Sequence, residues 1–287
     1  MSSAISAALH SATIALAPLS ETPRLDAELL MAHALGMERG DMLMRVRDLQ
    51  APAAFAAYIS RRIAHEPVAY ITGTQAFWDL ELSVTPDVLI PRADSETLIE
   101  AASDAFLGRD AFAKRDASLR ILDLGTGSGA LLLAALSVFP NASGLGVDAS
   151  EPALQVARRN AVISGFDTRA SFAQLDWRID EWHHQLGAPY DLILCNPPYI
   201  EQAAELSPMV KEHEPHSALF AGDDGLNDYR LLLPQIGALL THDGVAIFEI
   251  GYNQAESVGR LASESGLNSI LRHDLAGNPR CLTLRIG

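Results

Sequence analysis

The chain has 287 residues, of which 48% are hydrophobic and 20% are charged. That composition supports a buried core and differs from that of a disordered protein. The 36 acidic residues outnumber the 21 basic ones, so the formal net charge is −15. Proteins that grip nucleic acid by its phosphates need clustered lysine and arginine. The charge therefore argues against stable nucleic-acid binding and favours a protein or small-molecule substrate.

The cysteine content and the N-terminus indicate the compartment. Only Cys195 and Cys281 occur, far apart in the sequence, so we do not expect a disulfide framework. The alanine-rich N-terminus has no basic region before its apolar residues, and its apolar run is too short to cross a membrane. We therefore expect an amphipathic N-terminal helix, a reducing cytoplasmic location and no membrane association.

Residues 1–72 predict a small helical domain. One helix is expected to begin at Thr22, with Pro23 in its first turn, and to end at Gly36. Its apolar positions recur at helical spacing: Leu25, Leu29, Leu30 and His33. Another helix is expected within residues 52–66. This part contains no recognisable catalytic constellation, so we interpret it as a substrate-recognition domain.

Residues 73–92 show a different pattern. Apolar side chains alternate with polar ones from Thr74 to Ile90, which is typical of strands. Pro86 and Asp87 in the middle favour a turn. We predict a β-hairpin linker between two domains.

From Ser118 the chain alternates strands with helices. Five apolar segments predict buried strands: LRILDL, SGLGVDA, ASFAQLD, YDLILCN and GVAIFEIG. This alternation is typical of an α/β fold with a parallel, doubly wound sheet. The last two strands, SILRHDLA and PRCLTLRI, are joined by too few residues for a crossover helix, so we expect them to be antiparallel.

A glycine-rich turn follows the first of these strands, with the sequence Asp123-Leu124-Gly125-Thr126-Gly127-Ser128-Gly129-Ala130. Glycines let the backbone turn tightly and approach a ligand closely. Asp148 ends the next strand, where a carboxylate can accept both ribose hydroxyls of an adenosine. A helix N-cap is the structural alternative for Asp148. Together the turn and the carboxylate indicate a nucleoside cofactor.

Asp176 and Trp177 end the third strand, where an adenine ring would lie if Asp148 held the ribose. A carboxylate can accept a hydrogen bond from the adenine amine, and an indole can cover the face of the ring. Ordinary core packing of Trp177 is the alternative.

The fourth strand ends in Asn196-Pro197-Pro198-Tyr199. Two prolines stiffen the turn and remove two backbone donors. The Asn196 side-chain oxygen and the Pro197 carbonyl can then both accept hydrogen bonds from one NH2 group. Tyr199 can pack against a planar target. The segment predicts a site that turns the lone pair of an amide or arylamine nitrogen towards an electrophilic methyl group.

At this point the chain resembles the amino-group methyltransferases and, among them, the peptide chain release factor glutamine methyltransferases. The resemblance covers residues 66–287. Besides the glycine-rich turn and the Asn-Pro-Pro-Tyr signature, it is carried by Glu66-Pro67-Val68-Ala69-Tyr70-Ile71-Thr72-Gly73, Phe77-Trp78, Val88-Leu89-Ile90-Pro91-Arg92, Glu214-Pro215, Asp224-Gly225-Leu226, Glu249-Ile250-Gly251 and Asp274-Leu275-Ala276-Gly277. The chain departs from the family at Ala93-Asp94-Ser95-Glu96, where Pro-Glu-Thr-Glu is usual.

The resemblance implies a Rossmann-like class I methyltransferase fold with a seven-stranded sheet over residues 93–287. It implies S-adenosylmethionine as cofactor, S-adenosylhomocysteine as product and peptide chain release factors as partners, with the glutamine of their Gly-Gly-Gln motif as target. The cofactor-binding residues would be Asp123, Leu124, Gly125, Thr126, Gly127, Asp148, Asp176, Trp177 and Asn196. Asn196, Pro197 and Tyr199 would be catalytic, and these three with Pro198 would bind substrate.

Other interpretations stay open at this stage. A methyltransferase acting on adenine N6 or guanine N2 would present the same NH2 geometry, although the charge disfavours it. A nicotinamide dehydrogenase shares the glycine turn but does not need Asn196, and a non-enzymatic binding module would tolerate changes there. We expect no metal, because the histidines at 183, 184, 213 and 216 lack a second ligand cluster. Cys195 is expected to be core packing.

Overall fold

The computed structural model describes residues 4–106, 118–187 and 189–287. It separates into two compact units, one comprising Met1–Thr74 with Leu206–Glu214 and the other Gln75–Glu205 with Pro215–Gly287. None of the described helices is long and apolar enough to span a membrane. The predicted limits of the domains, 1–72, 73–92 and 93–287, stay a prediction.

The first unit is helical. Its helices are α1 (Ala4–Leu16), α2 (Pro23–Leu35), α3 (Arg39–Met44), α4 (Ala54–Ile63), α5 (Val68–Thr72) and α9 (Pro208–His213). The expected start of α2 after Thr22 and its end at Gly36, which is left-handed at φ 65°, are confirmed. The amphipathic helix at the N-terminus is confirmed from Ala4 onward, and residues 1–3 lie outside the described residues.

The buried side of α2 differs from the prediction. Leu30 and Met31 are fully buried, with Ile5 and Leu9 of α1 in the same core. Leu25 and Leu29, which the sequence placed on the apolar face, are 39% and 36% exposed. Helical spacing alone did not decide which face of α2 is buried, because the buried face also contains small and polar residues.

A two-stranded hairpin begins the second unit, formed by β1 (Thr74–Phe77) and β2 (Leu80–Ser83). The hairpin is confirmed, and a turn does form at Pro86-Asp87, where the Val88 N–H donates to the Thr85 carbonyl at 3.1 Å, but that turn does not join the two strands. The turn that joins them lies at Trp78-Asp79, with Trp78 at φ 57°. Val84, Val88 and Ile90 are buried without belonging to a strand, which explains why the sequence pattern extended the hairpin beyond Ser83.

The main sheet has seven strands in the order β5-β4-β3-β6-β7-β9-β8. These are β3 (Arg120–Leu124), β4 (Ser143–Asp148), β5 (Ala170–Gln174), β6 (Tyr190–Cys195), β7 (Leu240–Glu249), β8 (Leu267–His273) and β9 (Pro279–Ile286). Strands β3 to β7 pair in parallel, while β9 is antiparallel to both β7 and β8. The predicted class I arrangement with antiparallel C-terminal strands is confirmed.

The described residues of this unit also form the α-helices α6 (Glu96–Phe106), α7 (Ala130–Val138), α8 (Glu151–Ile163), α10 (Asn227–Leu239) and α11 (Ala255–Glu264). Alternate residues of the strands enter two separate cores. Ile121 and Leu192 pack with side chains of α6 and α7, whereas Leu122 and Ile193 pack with side chains of α10 and α11. Both faces of the sheet are therefore covered, as the continuous apolar runs predict.

The direction of strand addition reverses at β3. Strands β4 and β5 lie on one side of β3, and β6 and β7 lie on the other. Open parallel sheets bind ligands at the carboxyl ends of their strands beside such a reversal. The glycine-rich turn after β3 and the Asn-Pro-Pro-Tyr turn after β6 both leave the sheet there.

Candidate active site

A cleft of about 1030 Å³, its open mouth included, lies in the second unit at these strand ends. The glycine-rich turn, the ends of β4, β5 and β6, and parts of residues 87–95 and 215–218 contribute to its wall. Of the predicted site residues, those that line the cleft are Gly125, Thr126, Gly127, Asp148, Asp176, Trp177, Asn196 and Pro198. Within the part of the chain that the structure describes, Asp123, Leu124, Pro197 and Tyr199 do not line it.

The glycine-rich turn owes its shape to three left-handed residues, since Gly125, Gly127 and Gly129 have φ of 73°, 53° and 84°. Side chains adopt this region at a cost, whereas glycine does so freely. The backbone N–H groups of Gly125 and Thr126 both donate to the Val147 carbonyl at 2.9 Å. These bonds hold the turn against the end of β4. The part of the turn that faces the cleft is therefore mainly backbone.

Trp177 lies directly over this turn. A Cβ atom on Gly125 would stand 3.0 Å from the Trp177 Cη2 atom, closer than side chains normally approach. The indole N–H donates to Asp228 Oδ1 at 2.7 Å, and Asp228 is only 2% exposed. Trp177 is half-buried and also packs against the core of the sheet. The ring therefore packs against the core and also lines the cleft, and its hydrogen bond to Asp228 fixes its orientation.

Asp148 joins the ends of two strands. Its Oδ2 accepts from the Gly127 N–H and its Oδ1 from the Ser150 N–H, both at 2.9 Å. The cap of α8 is Ser150, which accepts from the Ala153 N–H, so the alternative role of Asp148 as N-cap is wrong. Burial raises the pKa of the Asp148 carboxyl. Each oxygen has a second lone pair with which to accept from a ligand hydroxyl.

Asp123 lies beneath the turn rather than in the cleft wall. Its Oδ2 accepts from the Thr126 hydroxyl at 2.6 Å, and its Oδ1 has no hydrogen-bond partner among the described residues. The residue is 1% exposed, and burial raises the pKa of its carboxyl to about 7. An unpaired buried carboxylate oxygen is the kind of group that a cationic ligand or a bound water satisfies. Leu124 is fully buried core.

The Asn-Pro-Pro-Tyr turn is held at both ends. At its start, the Asn196 amide NH2 donates to Ser95 Oγ at 3.3 Å. At its end, the Gln254 amide donates to the Tyr199 carbonyl at 3.0 Å and to the Gly225 carbonyl at 3.3 Å. Because Asn196 uses its NH2 group on Ser95, its carbonyl oxygen is left to accept from a group in the cleft. The Pro197 and Pro198 rings are buried.

Behind the turn lies Glu249, which is 1% exposed. It accepts from Ser95 Oγ at 2.5 Å and from the Tyr199 hydroxyl at 3.2 Å. Burial raises the pKa of the Glu249 carboxyl to about 7. The hydrogen bond from Ser95 and the positive charge of Arg280 both oppose that rise. Burial, with the nearby Glu249 charge, also raises the pKa of the Tyr199 phenol. The phenol therefore stays protonated.

The sequence interpretation gave no role to four of these side chains: Ser95, Asp228, Glu249 and Gln254. Two of them carried a signal that could have been used. Glu249 is a carboxylate within the apolar run GVAIFEIG, and a buried charge in a strand needs a specific reason. Asp228 stands in the first turn of α10 and is likewise buried. Their partners are remote in sequence, so the sequence could not identify them.

The cleft fits a nucleoside-containing cofactor. Gly125 and Gly127 leave backbone exposed to a ligand, and apart from the chain neighbours of Gly127 no described residue has an atom within 4 Å of where a Gly127 Cβ would be. Asp148 offers acceptors for sugar hydroxyls, and the Trp177 ring offers a flat face for a base. Within the described residues, no group of three or more His, Cys, Asp or Glu side chains could hold a metal ion. Cys195 is fully buried, as the packing interpretation expects.

Comparisons with known proteins agree with this geometry. Residues 7–73 match the PrmC N-terminal domain, and residues 115–271 match a methyltransferase domain. A release factor glutamine methyltransferase from Rhodospirillum rubrum is 42% identical over 271 residues, which cover 92% of this chain and 79% of the relative. Another from Bradyrhizobium diazoefficiens is 40% identical over 272 residues, covering 92% and 89%. The hMettl16 catalytic domain, solved with an RNA hairpin, has a TM-score of 0.54 at 12% identity over 73% of this chain and 77% of its own, a likeness in fold alone.

Proposed function

The chain belongs to the release factor glutamine methyltransferase family, and on that premise we propose that it methylates the side-chain amide nitrogen of the Gly-Gly-Gln glutamine in peptide chain release factors. The methyl donor is S-adenosylmethionine, which supplies an electrophilic methyl group on a sulfonium and leaves as S-adenosylhomocysteine. We place this reaction in the cytoplasm, where release factors act.

One observation carries the proposal. Asn196 lies in the cleft wall with its NH2 group engaged by Ser95, so its carbonyl oxygen is available to a substrate NH2. The Pro197 carbonyl is the second acceptor in this proposal. Two acceptors that hold both hydrogens of an amide turn its lone pair out of conjugation and towards the methyl carbon. Neither a dehydrogenase nor a simple binding module requires this arrangement.

The cofactor sites follow from the cleft wall. In the proposal, Asp148 accepts from the ribose hydroxyls and Asp176 accepts from the adenine amine, while Trp177 covers the adenine ring. The backbone of Gly125 and Gly127 allows the close approach that the cofactor needs. In its ionised form, the Asp123 carboxylate beneath the turn favours a cationic donor over its neutral product.

The chemical step needs alignment more than acid–base chemistry. The amide nitrogen forms a bond to the methyl carbon as the carbon–sulfur bond breaks and sulfur keeps the electron pair. The alkylated nitrogen then returns to a neutral amide by losing one proton to water. Alignment of reacting atoms can contribute roughly 7–11 kcal/mol to lowering a barrier. The role of Asn196, Pro197, Pro198 and Tyr199 in this proposal is that alignment.

The chemistry is tested by incubating the protein and labelled S-adenosylmethionine with an unmodified release factor and with a Gln→Ala variant of its Gly-Gly-Gln motif. Label on the first and none on the second is expected. Label on neither factor, with transfer to DNA or RNA instead, would overturn the proposal in favour of a base amino-methyltransferase. Asn196→Ala should lower turnover about 100-fold, as loss of one preorganised hydrogen bond does in other enzymes.

We propose that the helical domain of residues 1–72 grips the body of the factor, with residues 73–92 as linker and residues 93–287 as catalytic domain. Its described helices expose several apolar side chains: Ile14 at 61%, Leu25 at 39%, Leu29 at 36% and Met44 at 79%. Leu25 and Leu29 are four residues apart on α2 and therefore share a face. An exposed apolar face of this kind suits a protein partner.

The docking role is tested with Leu29→Glu. The KM for the whole release factor should rise about 10-fold, whereas the KM for a short Gly-Gly-Gln peptide should stay unchanged. Ile163→Glu is the matched control, because Ile163 is also exposed, at 58%, but lies at the end of α8 in the other unit. Equal effects on factor and peptide would refute the docking role.

A further inference from the structure

Asn196 stands at one end of a chain of hydrogen bonds that runs away from the cleft. Its NH2 group donates to Ser95 Oγ at 3.3 Å, and the Ser95 hydroxyl donates to Glu249 Oε2 at 2.5 Å. The other carboxylate oxygen of Glu249 accepts from the Tyr199 hydroxyl at 3.2 Å. Ser95 and Glu249 are 4% and 1% exposed, so bulk water does not compete for these bonds.

The direction of this chain is set by Glu249. An ionised carboxylate has no proton to donate, so the single proton of the Ser95 hydroxyl goes to Glu249. Ser95 Oγ can then only accept a hydrogen bond from Asn196. The Asn196 amide must turn its NH2 end towards Ser95 and its oxygen end the other way. Bonds to a charged acceptor are about twice as strong as neutral ones, so the ionised form of Glu249 stabilises this polarity.

We propose that Ser95 and Glu249 are positioning residues that lock the Asn196 amide with its oxygen presented to the substrate NH2. Neither residue needs to touch substrate, since both act through Asn196. The inference rests on the proposed function for its consequence on turnover, but the orientation of the Asn196 amide is a property of the enzyme itself.

Protonation of Glu249 would remove the lock. A neutral carboxyl group can donate a hydrogen bond to Ser95 Oγ. The Ser95 hydroxyl can then donate to the Asn196 side-chain oxygen, which allows the Asn196 amide to rotate by about 180°. Burial raises the pKa of Glu249 to about 7, so this change falls in an accessible range. The titratable groups around Glu249 are Asp94, Cys195, Tyr199, Tyr229, Arg280 and Cys281. Of these, Arg280 favours the ionised form and Asp94 opposes it.

The kinetic test compares Ser95→Ala and Ser95→Thr with the wild type on an unmodified release factor. Ser95→Ala should lower kcat about 10-fold with little change in KM, because an interaction used in the transition state is lost. Ser95→Thr keeps the hydroxyl and should retain turnover. Ser103→Ala is the matched control, since Ser103 on α6 donates to the Ile99 carbonyl in the same helix. Affinity for S-adenosylhomocysteine should not change in Ser103→Ala.

The second arm does not depend on the substrate. In protein labelled with ¹⁵N-asparagine, the side-chain NH2 signal of Asn196, identified by its loss in Asn196→Ala, should shift with pH around 7. Glu249→Gln should abolish that shift, and Ser95→Ala should move the signal at every pH. An Asn196 signal that ignores both substitutions, or a Ser95→Ala enzyme within twofold of the wild-type kcat, would overturn the proposal. Failure of the wild type to label any release factor would instead count against the proposed function, and the amide signal would still decide this one.

Discussion

The contact between Trp177 and Asp228 offers a quantitative test of how the cleft is built. Trp177→Phe removes the indole N–H that donates to Asp228 Oδ1 at 2.7 Å, while it leaves an aromatic ring over the glycine-rich turn. The acceptor is 2% exposed, so water cannot replace the lost donor freely. A hydrogen bond to a charged group is worth about 1.5–3 kcal/mol, and we expect a loss of about 2 kcal/mol in the free energy of unfolding. For a chain of this size that corresponds to about 3 °C in Tm.

Cofactor affinity should change by a smaller amount. The phenyl ring covers less of the cleft and is no longer fixed from behind, so the Kd for S-adenosylhomocysteine should rise about 3- to 10-fold. Titration calorimetry measures this Kd, and urea unfolding of the cofactor-free protein measures stability. Trp182→Phe is the control, because Trp182 is a buried core residue that does not line the cleft. It should lower stability by lost packing without changing the Kd.

A double-mutant cycle with Asp228→Asn decides whether the cause is the hydrogen bond. If the indole bond to the carboxylate carries the effect, Trp177→Phe should cost less in the Asp228→Asn background, with a coupling energy of about 1–2 kcal/mol. Additive effects would refute the reasoning and assign the loss to ring volume alone. An unchanged Kd in Trp177→Phe would refute the role given to the ring in the cleft.

Three further predictions follow from particular positions. Ala93→Pro should stabilise the protein by about 0.4–1 kcal/mol in urea unfolding, because the residue before it is extended at φ −100° and ψ 140°, as a following proline requires; destabilisation would show that this segment needs its backbone N–H. Gly125→Ala should raise the S-adenosylhomocysteine Kd about 10-fold, since its Cβ meets the Trp177 ring at 3.0 Å. Gly165→Ala shares the positive φ, but apart from its chain neighbours no described residue lies within 4 Å of the added Cβ, so it should leave the Kd unchanged. The pKa of Glu249 is about 7 in the folded state, against 4.5 in the unfolded state, so the folded protein keeps this proton to a higher pH. The free energy of unfolding should therefore fall as the pH rises from about 4.5 to 7. Glu249→Gln should remove about 3 kcal/mol of that decline, and equal slopes in the two proteins would contradict the assignment.

The sequence predicted the sheet well because its signals are local. Continuous apolar runs separated by helical segments specify buried parallel strands, and a short link at Gly277-Asn278 forces the last two strands to be antiparallel. The glycine-rich turn, Asp148 and Asn196 could be placed at strand ends from the chain order alone. Parallel strands present their carboxyl ends at one edge, so these residues had to meet in one region.

The local sequence pattern could not predict the structure where two different arrangements show the same periodicity of apolar residues. Apolar side chains continue to alternate through residue 90, so the sequence did not show which of the two turns, Trp78-Asp79 or Pro86-Asp87, joins the paired strands. The apolar residues of α2 likewise allowed Leu25 and Leu29 to face the core, and packing against α1 decided otherwise. In both cases the choice depends on neighbours that the local pattern does not contain.

The sequence by itself determined the fold class, the edge of the sheet that carries the site and the side chains that end its strands. Only the tertiary structure decided which groups hold those side chains in place. Ser95 lies 101 residues from Asn196 and 154 residues from Glu249, yet the three form one continuous set of hydrogen bonds. Periodicity reports only on neighbours a few residues away, whereas the direction of a hydrogen bond between remote side chains is set by how the helices and strands pack. The polarity of the Asn196 amide is therefore a property of the folded protein.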